Sequence, residues 1–186
     1  MKNYIALQRG INVGGKHIVK MAELKSMFER LGCTQVQTYI QSGNVLFESG
    51  ESELSLRQML EESFEKTFGF FSSMIIRTDA EWRGLLVDCP YTEREIADAA
   101  ATSDIECLHV ALLQDVPEAD RIALLESFRS DTEDYRIVGR NLYMLFRNGG
   151  FRNSKLPNQL TKLGVSATVR NWKTVNKLMA LIDRDD

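Results

Sequence analysis

The order of candidate elements runs through the chain twice. From Tyr4 a short apolar strand run is followed by a helical pattern, two strand runs joined by a turn, a second helical pattern and a last strand. From Cys107 the same order returns. This β-α-β-β-α-β order is the split pattern of ferredoxin-like folds. Two copies predict an α+β chain of two tandem ferredoxin-like halves with antiparallel sheets, plus a C-terminal helix. The expected bounds are 1–89 for the first half, 90–104 for a polar, alanine-rich connector and 105–186 for the second half with its closing helix.

The repeat extends to residues. Tyr4-Ile5-Ala6-Leu7-Gln8 resembles His109-Val110-Ala111-Leu112-Leu113-Gln114, and each hairpin return carries an early Asn and a later Phe before a Gly. Each last strand ends in Arg before a Trp-bearing helix (Arg77 and Trp82, Arg170 and Trp172). The offset between copies falls from 105 residues at Ala6 and Ala111 to 93 at Arg77 and Arg170, as expected if the second copy lacks a long loop present in the first.

Periodicity sets the elements of the first copy. Tyr4–Gln8 reads as a strand, and Leu24, Met27, Phe28 and Leu31 share one face of a helix over Met21–Leu31, ended by Gly32. Val36–Ile40 and Asn44–Glu48 alternate as a hairpin about Gln41-Ser42-Gly43. Leu56, Leu60, Phe64 and Phe68 mark a second helix stopped by Gly69, and Phe70–Arg77 reads as a strand. Thr78-Asp79-Ala80-Glu81 matches a capping box opening a short helix through Leu86.

In the connector, a short helix is expected around Arg94–Ala100. The second copy then reads as strand Cys107–Leu113, helix Glu118–Phe128, strands Tyr135–Val138 and Asn141–Arg147, a helix within Ser154–Leu163, strand Ala167–Arg170 and a closing helix over Trp172–Ile182. Its first strand is apolar on both faces, which predicts that the sheet faces left open by the helices are covered.

The long loop of the first copy is Arg9-Gly10-Ile11-Asn12-Val13-Gly14-Gly15-Lys16. Glycines let backbone N–H groups approach a ligand and take positive φ, a following helix start adds unpaired N–H groups, and Arg9 and Lys16 add charge. The loop is a candidate anion site. Ferredoxin-like strand order 4-1-3-2 brings it to the sheet end that holds Gln41, Ser42 and Asn44. A second candidate comprises Arg147, Arg152 and Lys155 around Gly149-Gly150, with Ser154 as a helix cap, together with Arg170, Asn171 and Trp172; four or five cations are expected to gather there. Against both stands the plainer reading that glycine-rich turns turn, and that surface arginines are solvated or paired.

Stronger motifs are absent from the sequence. The first loop has neither Walker A spacing nor GxGxxG order, the RNP1 pattern is missing, and alternation sends Tyr143 and Phe146 to opposite faces. There is no GxSxG, HExxH or oriented Cys/His pair. Glu23, Glu48 and His17 are the only acid–base groups with a reason to lie near the glycine loop. The three cysteines, Cys33, Cys89 and Cys107, form no CxxC pair and read as reduced packing residues. No metal or cofactor is expected.

With a net charge of -3 and a pI near 5.5, a nucleic-acid or anionic-membrane role is disfavoured. No run approaches a membrane span, and the start leads into a strand without a signal-peptide core, which predicts a cytoplasmic protein.

RGINVGGK over Arg9–Lys16, Val19-Lys20-Met21-Ala22-Glu23-Leu24, Tyr39-Ile40-Gln41-Ser42-Gly43-Asn44-Val45 and Arg170-Asn171-Trp172 with Thr174-Val175 together resemble the bacterial family catalogued as domain of unknown function 1697. The resemblance spans nearly the whole chain and implies the same doubled ferredoxin-like fold, with no activity to transfer. Lys173 stands where the family is associated with Asn, which implies extra positive charge there. The leading expectation is a binding protein for a small anionic, phosphorylated ligand, as monomer or homodimer. The alternatives are an enzyme acting on such a ligand and a protein-interaction module.

Overall fold

A computed structural model describes residues 1–185, with positions 152, 184 and 185 described by backbone alone. The chain divides into two compact units, Met1–Arg83 with Leu178–Asp186, and Gly84–Lys177. Each contains one four-stranded antiparallel sheet.

The first unit orders its strands β2-β3-β1-β4, from β1 (Lys2–Gln8), β2 (Thr34–Tyr39), β3 (Asn44–Ser49) and β4 (Met74–Thr78). Its main helices are α1 (Met21–Arg30) and α2 (Glu53–Phe68). Leu24, Met27 and Phe28 of α1 and Leu56, Leu60 and Phe64 of α2 bury against Tyr4, Ala6, Val45, Phe47, Met74 and Ile76 from one face of the sheet. The Ser52 hydroxyl caps α2 by accepting from the Ser55 N–H (3.2 Å), a contact of about 1 kcal/mol. Gly69 ends α2 in the left-handed region (φ 77°).

The second unit repeats the order as β6-β7-β5-β8, from β5 (Leu108–Leu113), β6 (Glu133–Val138), β7 (Asn141–Phe146) and β8 (Ala167–Asn171). One face carries Ala111, Leu113, Tyr135, Leu142, Met144, Phe146 and Ala167 under Leu125, Leu156, Leu160 and Leu163. In both sheets the opposite face is buried as well, through Ile5, Leu7, Leu46 and Ile75 in the first and Val110, Leu112, Tyr143 and Leu145 in the second. That meets the expectation drawn from strands apolar on both sides.

Register reproduces the repeat. Tyr4 pairs with Phe47 and Thr78, and His109 pairs with Met144 and Asn171. Thr78 and Asn171 both close a strand and cap the next helix. The Thr78 Oγ1 accepts from Glu81 N (3.2 Å) and Glu81 Oε2 from Thr78 N (2.9 Å), completing the expected box before α3 (Asp79–Val87). Asn171 Oδ1 accepts from Thr174 N (2.8 Å) at the head of α7 (Trp172–Asp185).

Within the second unit, α4 (Glu93–Ala100) is clipped down by Arg136 of β6. Its guanidinium donates to Pro90 O (2.6 Å) and Glu95 Oε1 (2.7 Å) and lies 4.2 Å from the centre of the Tyr91 ring. Tyr91 in turn donates to Asp134 (3.0 Å). Glu95 is held down to about 2, first by the Thr92 N–H bond to its carboxylate and then by Arg136.

Three expected elements are shorter. The strand expected over Phe70–Arg77 begins only at Met74, because β1 ends opposite it at Gln8. The expected helix over Glu118–Phe128 becomes α5 (Ala119–Ala123) and a 3₁₀ turn (Glu126–Phe128); with Leu125 as its one buried anchor, little packing extends it. The helix expected within Ser154–Leu163 breaks into α6 (Leu156–Gln159) and a 3₁₀ turn (Leu160–Leu163). Lys155, not Ser154, takes the capping position, although the Ser154 hydroxyl still accepts from Leu156 N (3.0 Å).

Candidate functional site at the end of the first sheet

The glycine loop is a small hairpin. Asn12 N donates to His17 O and Lys16 N to Val13 O (both 3.1 Å). Gly14 (φ 59°) and Gly15 (φ 74°) fill the two left-handed central positions of the turn, the arrangement two-residue hairpins favour. The glycines thus have a geometric reason independent of any ligand.

Several contacts fix this hairpin to the sheet. The Asn12 carboxamide accepts from Val19 N (2.8 Å) and donates to Val19 O (3.0 Å) and to Gln41 O (2.8 Å). Gln8 N donates to Gly43 O (2.9 Å), and Arg9 N to Ser73 O (3.3 Å). His17 stacks on Phe70 with ring centres 4.4 Å apart, and the Ser72 hydroxyl donates to Arg9 O (2.9 Å). Ile11 and Val19 bury their side chains beneath.

The expected gathering of Arg9, Gly10, Asn12, Gly14, Gly15 and Lys16 with Gln41, Ser42 and Asn44 is therefore present at one sheet end. Within it the roles differ. Asn12 clamps the loops, and buried Asn44 closes its own turn by donating to Tyr39 O (3.0 Å) and Ser42 Oγ (2.9 Å). Arg9, Gly10, Gly14, Gly15, Lys16 and Gln41 are exposed. Arg9 and Lys16 have no carboxylate partner among the described residues, whereas neighbouring Lys20 pairs with Glu23 (3.4 Å).

The acid–base candidates do not converge here. Glu23 is engaged by Lys20. Glu48 pairs in register with Asn3 at the far end of β1, five residues from Gln8 and so roughly 17 Å along the strand. Only His17 stays at the loop.

The residues of the second expected cluster differ in role. Arg170 is buried, and its Nη1 donates to Thr168 Oγ1 (2.8 Å) and Val169 O (2.9 Å) along its own strand; in phase with Thr168, it points to the sheet face opposite the helices. Lys155 and Lys173 are exposed and Arg147 is half-buried. Asn171 is used as a helix cap, and Trp172 meets the Tyr143 ring edge-on at 6.4 Å. The side chain of Arg152 lies outside the described residues. Phe151 lies flat on buried His109, ring centres 3.8 Å apart. Burial pushes that imidazole down to about 4.

Sequence reasoning missed an apolar fringe around the glycine hairpin. Val13, Ile18, Ile40 and Phe71 are 67, 65, 48 and 60% exposed. Ile40 also has φ 50°, a conformation that a β-branched residue rarely takes. The available signal was their position: large apolar residues in turns, out of phase with any buried pattern.

A model for proteins of unknown function, DUF1697, matches residues 1–143, which include the hairpin and the β2–β3 turn. The chain belongs to this DUF1697 family. Among solved structures, the DUF1697 chain is similar to the conserved bacterial protein SP0830 from Streptococcus pneumoniae, at 26% identity and a TM-score of 0.76, over 96% of this chain and 97% of that one. No curated protein matches it. Among the described residues no helix is long and apolar enough to cross a membrane, and no group of side chains is arranged to hold a metal ion.

Proposed function

We propose that this chain is a binding protein whose glycine hairpin holds a small anionic ligand, a phosphorylated metabolite by preference, with Arg9 and Lys16 as its charged contacts and the Gly10, Gly14 and Gly15 backbone beside them. The supporting observation is the pair of exposed cations lacking carboxylate partners among the described residues, on a loop clamped by Asn12 to Gln41. A loop whose backbone is already ordered adds little ordering cost of its own on binding an anion, so that cost falls on the two long side chains. Arg147, Arg152 and Lys155 remain secondary candidates for the same chemistry.

Thermal shift with inorganic phosphate, AMP, ATP and glucose 6-phosphate at matched ionic strength tests the reading. A saturable rise with at least one phosphate ester, lost in Arg9→Ala and Lys16→Ala, is the expected result. A flat response across the panel, with both variants identical to the parent, would remove it.

A second reading is favoured by the exposed Val13, Ile18, Ile40 and Phe71, which ring the same hairpin and suit a protein partner. Partner capture that Val13→Ser abolishes and phosphate esters do not compete would favour it over the small ligand.

A further inference from the structure

At the other end of the first sheet, β2 carries an extra residue. Thr34 faces Glu48 and Gln37 faces Leu46, so two residues of β2 oppose Phe47 alone. The first of them, Gln35, has φ 50°, where glycine is usual. Such bulges interrupt pairing and re-aim side chains, and backbone strain of about 1–3 kcal/mol persists where surrounding structure imposes it.

Beside the bulge lies a recess of about 130 Å³ lined by Asn3, Tyr4, Gln35, Leu46, Phe47, Glu48 and Ile182. Tyr4 and Phe47 belong to the core under α1 and α2, so register leaves Asn3, Leu46 and Glu48 on the opposite face. The recess therefore combines apolar Leu46 and Ile182 with the amides of Asn3 and Gln35 and one carboxylate. Among the described residues, Glu48 has no cationic partner; its one side-chain contact is a long bond from Thr34 Oγ1 (3.3 Å).

We propose that this recess binds a small organic cation, a primary ammonium on a short apolar stem, at a site separate from the glycine hairpin. The ammonium donates to the Glu48 carboxylate and to the carbonyl oxygens of Asn3 and Gln35, while the stem lies against Leu46 and Ile182. Charge-assisted bonds of this kind are about twice as strong as neutral ones, so an alcohol of the same shape binds worse. The volume admits one fragment-sized molecule, so the few heavy atoms it can hold keep the affinity modest.

The test is a titration of the full chain with n-butylammonium chloride, against 1-butanol and against sodium chloride at equal ionic strength, read by the Ile182 methyl and the Asn3, Gln35 and Glu48 amide NMR signals. Saturable shifts with the amine alone, weakened about tenfold in Glu48→Gln, are expected. The half-buried position of Glu48 lets that variant fold, which its unchanged remaining spectrum verifies. Amine shifts no larger than those of butanol, or an unaltered titration in Glu48→Gln, would overturn the proposal. Because neither Arg9 nor Lys16 takes part, this result stands apart from that of the phosphate panel.

Discussion

Arg170 occupies in the second sheet the place that Arg77 occupies in the first. Arg77 lies opposite Ile5 and Arg170 opposite Val110 on the central strands, both are buried, and each Nη1 donates at 2.9 Å to the carbonyl of the residue before it, Ile76 and Val169. Together with the paired Thr78 and Asn171 caps, this makes the duplication a matter of register as well as of element order.

A buried guanidinium with internal partners is a structural group. Arg170→Ala removes a buried apolar stem together with the guanidinium bonds to Thr168 Oγ1 and the Val169 carbonyl, so it should cost about 3 kcal/mol in urea unfolding. Arg170→Met keeps the stem and buries no charge, and should cost about 1 kcal/mol. A solvent-facing, ligand-contacting arginine would instead leave the unfolding midpoint unmoved in both variants.

The glycines of the candidate site divide by what surrounds them. A Cβ at Gly43 would lie 2.7 Å from both Ile11 Cδ1 and Gln8 Oε1, at φ 75°, whereas one at Gly14 (φ 59°) meets nothing within 4 Å. Gly43→Ala should therefore lose at least about 2 kcal/mol, and Gly14→Ala only about 1 kcal/mol from its backbone conformation. Equal losses in denaturant melts would show that the β2–β3 turn does not press on the hairpin.

Ile40 carries backbone strain on an exposed side chain beside Gln41. Asn tolerates the left-handed region, so Ile40→Asn should raise stability by about 0.5–1 kcal/mol. If the hairpin end binds through its apolar fringe, the same variant should weaken partner binding while stabilising the fold. A variant less stable than the parent would mean that Ile40 makes packing contacts outweighing its strain.

Much of this architecture is legible from periodicity, because helix faces such as Leu24, Met27 and Phe28, the stop at Gly69 and the Thr78–Glu81 box are local. The site is less so. The Asn12 clamp depends on Gln41, 29 residues away, and no local pattern reports it. Arg170 misled because charge suggests exposure and alternation puts it with Thr168 on the polar side of its strand; only the register, which sets it opposite buried Val110, places it inside. Glu48 misled through sequence proximity to the turn, although strand geometry carries it to the opposite end. The break within residues 119–128 follows from sparse burial, Leu125 being the one buried residue there, which periodicity alone does not weigh.

His109 makes the sharpest pH prediction. Its ring is buried against Phe146 and Phe151, and Nδ1 has no hydrogen-bond partner among the described residues. Burial lowers its pKa from 6.5 to about 4, so between these values the unfolded chain binds more protons than the folded one. Stability therefore rises with pH across that window: the contribution is complete above about 6.5 and is lost as pH falls towards 4. The full amplitude is about 3 kcal/mol. His109→Phe keeps an aromatic ring on Phe151 and removes the titration. It should unfold at the same or higher urea concentration at pH 7.5 and flatten the decline between pH 7.5 and pH 5, these being two conditions about 2.5 units apart that span most of the window. If the two proteins lose stability in parallel on acidification, other groups govern the acid response and the ring is not buried neutral.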